Sequence, residues 1–171
     1  MKAEEIKKLV RRVQRHEDRE AADILIRHFY REIYAFVYRQ TGNEELAMDL
    51  TQEVFVKLTK SIHSYLPTAS FSAFLYRIAR NTVIDHLRTS KQADELPETV
   101  TAPDSLKQVE DRLDVQMLLS RLPEEQRECI LLYYIQELTY REISQILGIP
   151  IPTAKSRVQR GLAACRKMME E

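Results

Sequence analysis

Between Ile151 and Met168 the chain carries Lys155, Arg157, Arg160, Arg166 and Lys167 with no acid among them, and Thr153, Ser156 and Gln159 stand in between. Guanidinium and ammonium groups neutralise phosphates, while ammonium, hydroxyl and amide groups can hydrogen-bond base edges. The chemistry on offer is recognition, with no bond made or broken. At about 100° per residue, the angular step of an α-helix, Ala154, Val158, Leu162, Cys165 and Met169 fall on one face. Lys155, Ser156, Gln159, Arg160, Arg166 and Lys167 fall on the other. The first face is the expected packing seam, with Cys165 as a buried small hydrophobe. A solvated basic face on an ordinary bundle helix would have the same composition, so the residues just upstream must decide.

Other residue types able to do chemistry are not arranged for it. His16, His28, His63 and His86 fall in no H-E-x-x-H pattern and beside no nucleophile motif, and neither a P-loop nor a G-x-G-x-x-G is present. Cys129 and Cys165 form no C-x-x-C pair and imply no disulfide framework. No enzyme activity, cofactor, metal or small-molecule substrate is expected. The first 20 residues, "MKAEEIKKLVRRVQRHEDRE", are too charged for a signal peptide, and no apolar run approaches the roughly 18–20 residues of a membrane span. A reducing cytoplasm fits these features best.

The elements that would position the basic helix are marked by local punctuation. Thr139 and Glu142 form a capping-box pair, opening a short helix expected to bury Ile143, Ile146 and Leu147. Gly148 stands where a helix C-terminus favours left-handed backbone. If the next helix starts at Pro150, both Pro150 and Pro152 lie in its first turn, where the amides have no partner within the helix and their loss costs little. Helix, tight turn and helix make a helix-turn-helix, whose second helix would carry Lys155, Ser156 and Gln159 near its N-terminus. Upstream, "LPEEQRECILLYYIQEL" (122–138) predicts a supporting helix that buries Ile130, Leu131 and Tyr134, with Cys129 and Tyr133 also read as core.

The N-terminal half is patterned as helices too. Ala22, Leu25, Phe29, Ile33 and Val37 recur at helical spacing and end at Gly42; Asn43 can cap a second helix whose stripe is Ala47, Leu50, Val54, Leu58 and Ile62. Opposite that stripe lie Asp49, Gln52, Glu53 and Val56, with Glu45 beside them. "HSYLPTAS" reads as a loop around Pro67, followed by a helix from about Ser70 to Arg88 that buries Phe71, Leu75, Ile78, Ala79 and Thr82. Arg77, Arg80, Asn81 and Arg88 point away from that stripe, as does Ile84. Arginines near Tyr65, Phe74 and Tyr76 could bind single-stranded DNA through charge and base stacking. The first 18 residues can form a short extra helix. "TSKQADELPETVTAPDS" has no apolar period and reads as an acidic linker.

The expected fold is therefore all-α: a helical domain at 1–88, a flexible acidic linker at 89–104 and a helix-turn-helix domain at 105–171. Formal net charge is zero, with 26 basic and 26 acidic residues, but the charge is segregated. A local basic face matters more for binding than the sum.

In order and spacing, "DLTQEVFVKL", "FLYRIARNTVIDHLR" and "LPEEQRECILLYYIQELTYREISQILGIPIPTAKSRVQRGL" resemble the bacterial sigma factors of the extracytoplasmic-function (ECF) class, over about residues 19–168. The resemblance implies a factor that binds core RNA polymerase and directs promoter-specific initiation. Asp49, Gln52 and Glu53 would dock on the clamp helices of the polymerase core. The 61–70 loop and the helix after it would melt and read the single-stranded −10 element, with Tyr65, Arg77, Arg80, Asn81 and Arg88 as candidate contacts. Lys155, Ser156 and Gln159 would read the duplex −35 element, with Thr153, Arg157 and Arg160 nearer the phosphates. The linker would run through the polymerase cleft. An anti-sigma factor would hold the protein inactive, in some cases at the membrane. The sequence departs from the family pattern at Phe74, where Trp is frequent, at Pro152, where Gly or Ser is common, and at Ala154, where Val is common.

A helix-turn-helix repressor is the competing reading. Such regulators read two symmetric half-sites, whereas the two halves here carry distinct basic surfaces. An adaptor binding only protein would explain the acidic helix but not the basic one.

Overall fold

The computed structural model describes residues 1–93 and 117–170, and their regular structure is entirely helical. The chain divides into two compact units, Met1–Ala102 and Pro103–Glu171. The stretch 94–116, which includes most of the expected linker and the start of the expected second domain, lies outside the described residues. Among the described residues no helix is long and apolar enough to cross a membrane.

The first unit packs four helices: α1 (Ala3–His16), α2 (Arg19–Thr41), α3 (Glu44–Ser61) and α4 (Phe71–Ala93). A 3-10 turn at Ile62–Ser64 follows α3. The short extra helix expected in the first 18 residues is α1, which buries Leu9, Val10 and Val13. Asp18 caps α2 by accepting from the Ala21 amide at 3.0 Å, and Arg12 Nε donates to the same carboxylate at 2.8 Å, joining the two helices at their hinge. Gly42 ends α2 at φ 62°, a left-handed conformation that a Cβ would penalise. Asn43 Oδ1 caps α3, accepting from the Leu46 amide.

The expected α3 stripe is fully buried, as are Leu25, Phe29, Ile33 and Val37 of α2 and Leu75, Ala79 and Val83 of α4, and the three helices pack against one another. Each large side chain enclosed in this way contributes about 1.5–3 kcal/mol relative to exposure. On α2 the buried alanine is Ala21, which lies four residues before Leu25 and so continues the Leu25, Phe29 and Ile33 row, while Ala22 is only half-buried. Two buried hydroxyls are satisfied locally: Thr51 Oγ1 donates to the Ala47 carbonyl, and Thr82 Oγ1 to that of Ile78. Helix α4 continues to Ala93, so residues 89–93, expected as linker, are helical. They contain no Pro or Gly, and the next helix breaker is Pro97.

In the second unit, α5 (Glu124–Ile130) runs into a π-turn at Leu131–Ile135, followed by α6 (Tyr140–Leu147) and α7 (Ile151–Glu170). The core is Leu122, Cys129, Ile130, Leu132, Leu138, Ile143, Ile146, Ala154 and Val158. Several expectations are corrected, and Tyr133, Leu147 and Leu162, expected in the core, are only half-buried. Tyr134 is 52% exposed rather than buried, and Leu132 takes the buried place expected for Leu131. A π-turn bonds i to i+5, so the residue four past Ile130 no longer lies over it. Met169 is 72% exposed rather than in the seam, and Cys165 is half-buried. Burial fades along α7 because the helix outruns the short helices beneath it.

Candidate nucleic-acid interface

Helix α7 is aimed by the turn before it. Thr139 and Glu142 make the capping box: the Glu142 amide donates to Thr139 Oγ1 at 3.3 Å and the Thr139 amide to Glu142 Oε2 at 2.8 Å. Gly148 turns the chain at φ 65°, its amide donating to the Ser144 carbonyl. The first helical bond of α7 runs from the Ala154 amide to the Pro150 carbonyl at 3.1 Å. Pro150 therefore stands just before the helix and Pro152 in its first turn, and neither forfeits a helical bond. Further along, a Cβ on Gly161 would lie 2.5 Å from Ile130 Cδ1 and 3.3 Å from Gln126 Cβ. The missing side chain lets α7 lie close against α5.

On the surface so presented, Lys155, Gln159 and Arg160 are exposed, and Thr153, Ser156 and Arg157 are half-buried. Pro123 and Gln126 of the α5 start and Pro152, Thr153, Ser156 and Arg160 of α7 wall a shallow open groove of about 460 Å³. Arg157 differs from its neighbours: its guanidinium lies 2.7 Å from Glu125, with only 24% of the side chain exposed. That ion pair ties α7 to α5, so Arg157 serves the posture of the helix. Lys155, Gln159 and Arg160 are the side chains left outward, a set whose chemistry suits phosphates and hydrogen-bonding edges. Burial raises the Cys129 thiol, with the neighbouring Arg157 opposing the shift.

A second surface lies on α4 and the loop before it. Arg77 and Asn81 are exposed, Ile84 is 40% exposed, and Arg80 is half-buried. Arg88 is exposed, 3.7 Å from Asp85. Tyr65 is placed differently from the rest of its expected group. Its ring is 7% exposed, centred 5.6 Å from Phe71 and 5.1 Å from Phe74, and its hydroxyl donates to the Ala69 carbonyl at 2.6 Å. Enclosed there, it shapes the loop and has no free face on which a base could stack. The loop tip leaves Leu66, which is 69% exposed, Pro67 and Thr68 to solvent, and His63, Ser64 and Ser70 beside it are exposed too. Sequence reasoning passed over Leu66, although a lone apolar residue before proline in a polar loop is a usable signal.

The third surface is the outward side of α3. Glu45, Asp49, Gln52 and Glu53 are exposed as expected, and between them Val56 is 51% and Met48 43% exposed. Glu53 pairs with Lys57 at 2.7 Å, and the Lys57 ammonium reaches on to Thr82 Oγ1 of α4 at 3.2 Å. Acids surrounding exposed apolar side chains suit a protein partner with a basic, partly apolar face. Met48 was missed; its place three residues after Glu45 and four before Gln52 was the available clue.

Comparison with known proteins follows the same division. Residues 25–93 match Sigma-70 region 2, and residues 112–165 match Sigma-70, region 4. The chain is 33% identical to the ECF RNA polymerase sigma factor SigW of Bacillus subtilis (strain 168), over 97% of each. To the ECF RNA polymerase sigma factor RpoE of Cereibacter sphaeroides it is 31% identical, over 94% of this chain and 93% of that one. Among solved structures, CnrH in complex with the cytosolic domain of CnrY superimposes with a TM-score of 0.72 at 20% identity, covering 97% of both chains. The sigma factor RpoE in complex with the anti-sigma factor NepR from Bartonella quintana gives 0.69 at 21%, over 86% of this chain and 96% of that one. At those identities the two structures speak for the fold.

Proposed function

The chain belongs to the ECF class of RNA polymerase sigma factors, and from that premise we propose how its exposed surfaces divide the work of promoter-specific initiation. The acidic and apolar side of α3, with Asp49, Gln52 and Glu53, docks on core polymerase. The α4 surface, with Arg77, Arg80, Asn81 and Arg88 beside the Leu66–Thr68 loop tip, melts and reads the single-stranded −10 element. Helix α7 reads the duplex −35 element through Lys155, Ser156 and Gln159, with Thr153 and Arg160 at the phosphates and Arg157 setting the helix against α5. Base capture at −10 must offset a few kcal/mol of unstacking. The first domain runs from residue 1 to the end of α4, and the second holds the helix-turn-helix. The protein works in the cytoplasm, carries out no chemistry of its own and is held inactive by an anti-sigma factor that covers these surfaces.

The observation that supports this reading most is the pair of chemically distinct outward surfaces on separate units: a duplex-reading helix on one, and a cationic helix beside a built loop on the other. A dimeric repressor would need one such surface, used twice. The test is to mix the purified protein with core polymerase lacking any sigma factor and to map initiation on a library of genomic fragments. Discrete start sites that vanish without the protein are expected, and their alignment gives both promoter elements. Duplex binding without core binding or initiation would move the repressor reading ahead.

A further inference from the structure

Helix α1 has no part in the division just described, yet one of its side chains reaches the loop that carries the −10 surface. Gln14 Nε2 donates to the Ile62 carbonyl at 2.8 Å and to the Tyr65 carbonyl at 2.9 Å, across 48 and 51 residues of chain. Both partners are acceptors, so the amide nitrogen, with its two hydrogens, must face them. The Ile62 carbonyl also takes the Tyr65 amide at 3.1 Å, which closes the 3-10 turn. The Tyr65 hydroxyl reaches four residues forward to the Ala69 carbonyl, and its ring sits among Phe71 and Phe74. The loop is thus held at its base by α1 and across its neck by its own tyrosine, leaving Leu66, Pro67 and Thr68 as a fixed projection. Helix α1 is itself fixed: Leu9, Val10 and Val13 are buried, and Arg12 holds Asp18 at the α1–α2 junction.

We propose that Gln14 is a positioning residue for −10 recognition, and that α1 serves as the brace that sets the 62–70 loop in the shape that meets the unpaired strand. The proposal rests on the assignment of the loop and α4 to the −10 element. A loop ordered before binding does not have to be ordered at the moment of capture, so its contacts register in full as affinity and discrimination. Removing the brace leaves the contacting side chains in place and loosens only the frame.

Gln14→Glu tests this with almost no change in volume, because an ionised carboxylate donates no hydrogen bond and would face two carbonyls. Gln14→Met, also similar in length, removes the donor without adding charge. In the full chain bound to core polymerase, both variants should speed hydrogen exchange of the Tyr65 amide, which closes the 3-10 turn on the Ile62 carbonyl, by about tenfold, the scale of one lost hydrogen-bond pair. Discrimination between matched and mismatched −10 sequences, read by open-complex formation on duplexes with a common −35 element, should fall by a similar factor. Co-elution with core and affinity for the −35 duplex should not change. Faster exchange with intact −10 discrimination would overturn the positioning role, and unchanged exchange would overturn the brace. Wild-type protein that shows no −10 preference would instead overturn the surface assignment beneath the proposal, an outcome distinct from the other two.

Discussion

The two surfaces proposed to meet DNA are built by opposite means. Helix α7 is aimed by residues within a dozen positions of its own start: Thr139, Glu142, Gly148 and the prolines at 150 and 152. The 62–70 loop is shaped by Gln14 on α1 and by rings on α4, partners that only the tertiary fold delivers. A surface of the first kind depends on its own small unit being folded. One of the second kind can lose its shape while its unit stays folded. The lesson is that equally exposed cations can differ in how far away their accuracy is determined.

The largest test of that difference is a core truncation in each unit. Ile143→Ala and Leu75→Ala each remove a side chain with no exposure, and such changes cost about 2–5 kcal/mol. The second unit has the smaller core, so Ile143→Ala should strip exchange protection from residues 117–170 while residues 1–93 keep theirs. Joint loss of protection would mean the two units do not fold independently. Next in size, Asp49→Lys should abolish co-elution with core polymerase and leave −35 duplex binding intact; retained co-elution would remove Asp49 from the docking surface.

Smaller and more discriminating is the contrast within α7. Lys155→Ala should cost about 1–3 kcal/mol at the −35 element and relax base choice there, whereas Arg160→Ala should weaken all duplexes alike and lower the salt slope by about one. Gel shifts across salt and sequence separate the two, and an unchanged base preference for Lys155→Ala would take that residue out of base reading. The smallest effect concerns the α1–α2 junction. The Ala21 amide and then the Arg12 guanidinium hold the Asp18 carboxyl below its ordinary value of 3.8. Its contribution is therefore complete above pH 3.8 and is lost as pH falls through the lower folded value. Exchange of the α1 amides should accelerate in that acid window, and Asp18→Asn should flatten the response.

What could be read in the sequence follows the same line. The α3 stripe from Ala47 to Ile62, the Asn43 cap, the capping box at Thr139 and the Gly148 turn each depend on residues a few positions apart, and each was legible. Tyr65 was grouped with ligand contacts because composition alone does not show that its hydroxyl finds Ala69 and its ring finds Phe71 and Phe74. Tyr134 was assigned to the core because helical spacing assumes i to i+4 closure, and the π-turn broke that register. The role of α1 was hidden for a similar reason: Gln14 in "RRVQRHEDRE" carries no mark of a partner 48 residues away. Local punctuation survives in a sequence, while long-range hydrogen bonds leave little trace there.

The contrast between Cys129 and Cys165 has a practical consequence. Cys129 is sealed within the second unit, while Cys165 sits half-open near the far end of α7, and burial raises both thiols. A maleimide at mildly alkaline pH should therefore attach one label per folded molecule, at Cys165, and a second only when the unit opens. Label stoichiometry by mass then counts opened molecules directly, and rapid double labelling in native buffer would show that Cys129 is not sealed. The same thiol offers a tether for a fluorophore nearly three helical turns from Lys155 and more than one and a half from Gln159, on the side of α7 away from them.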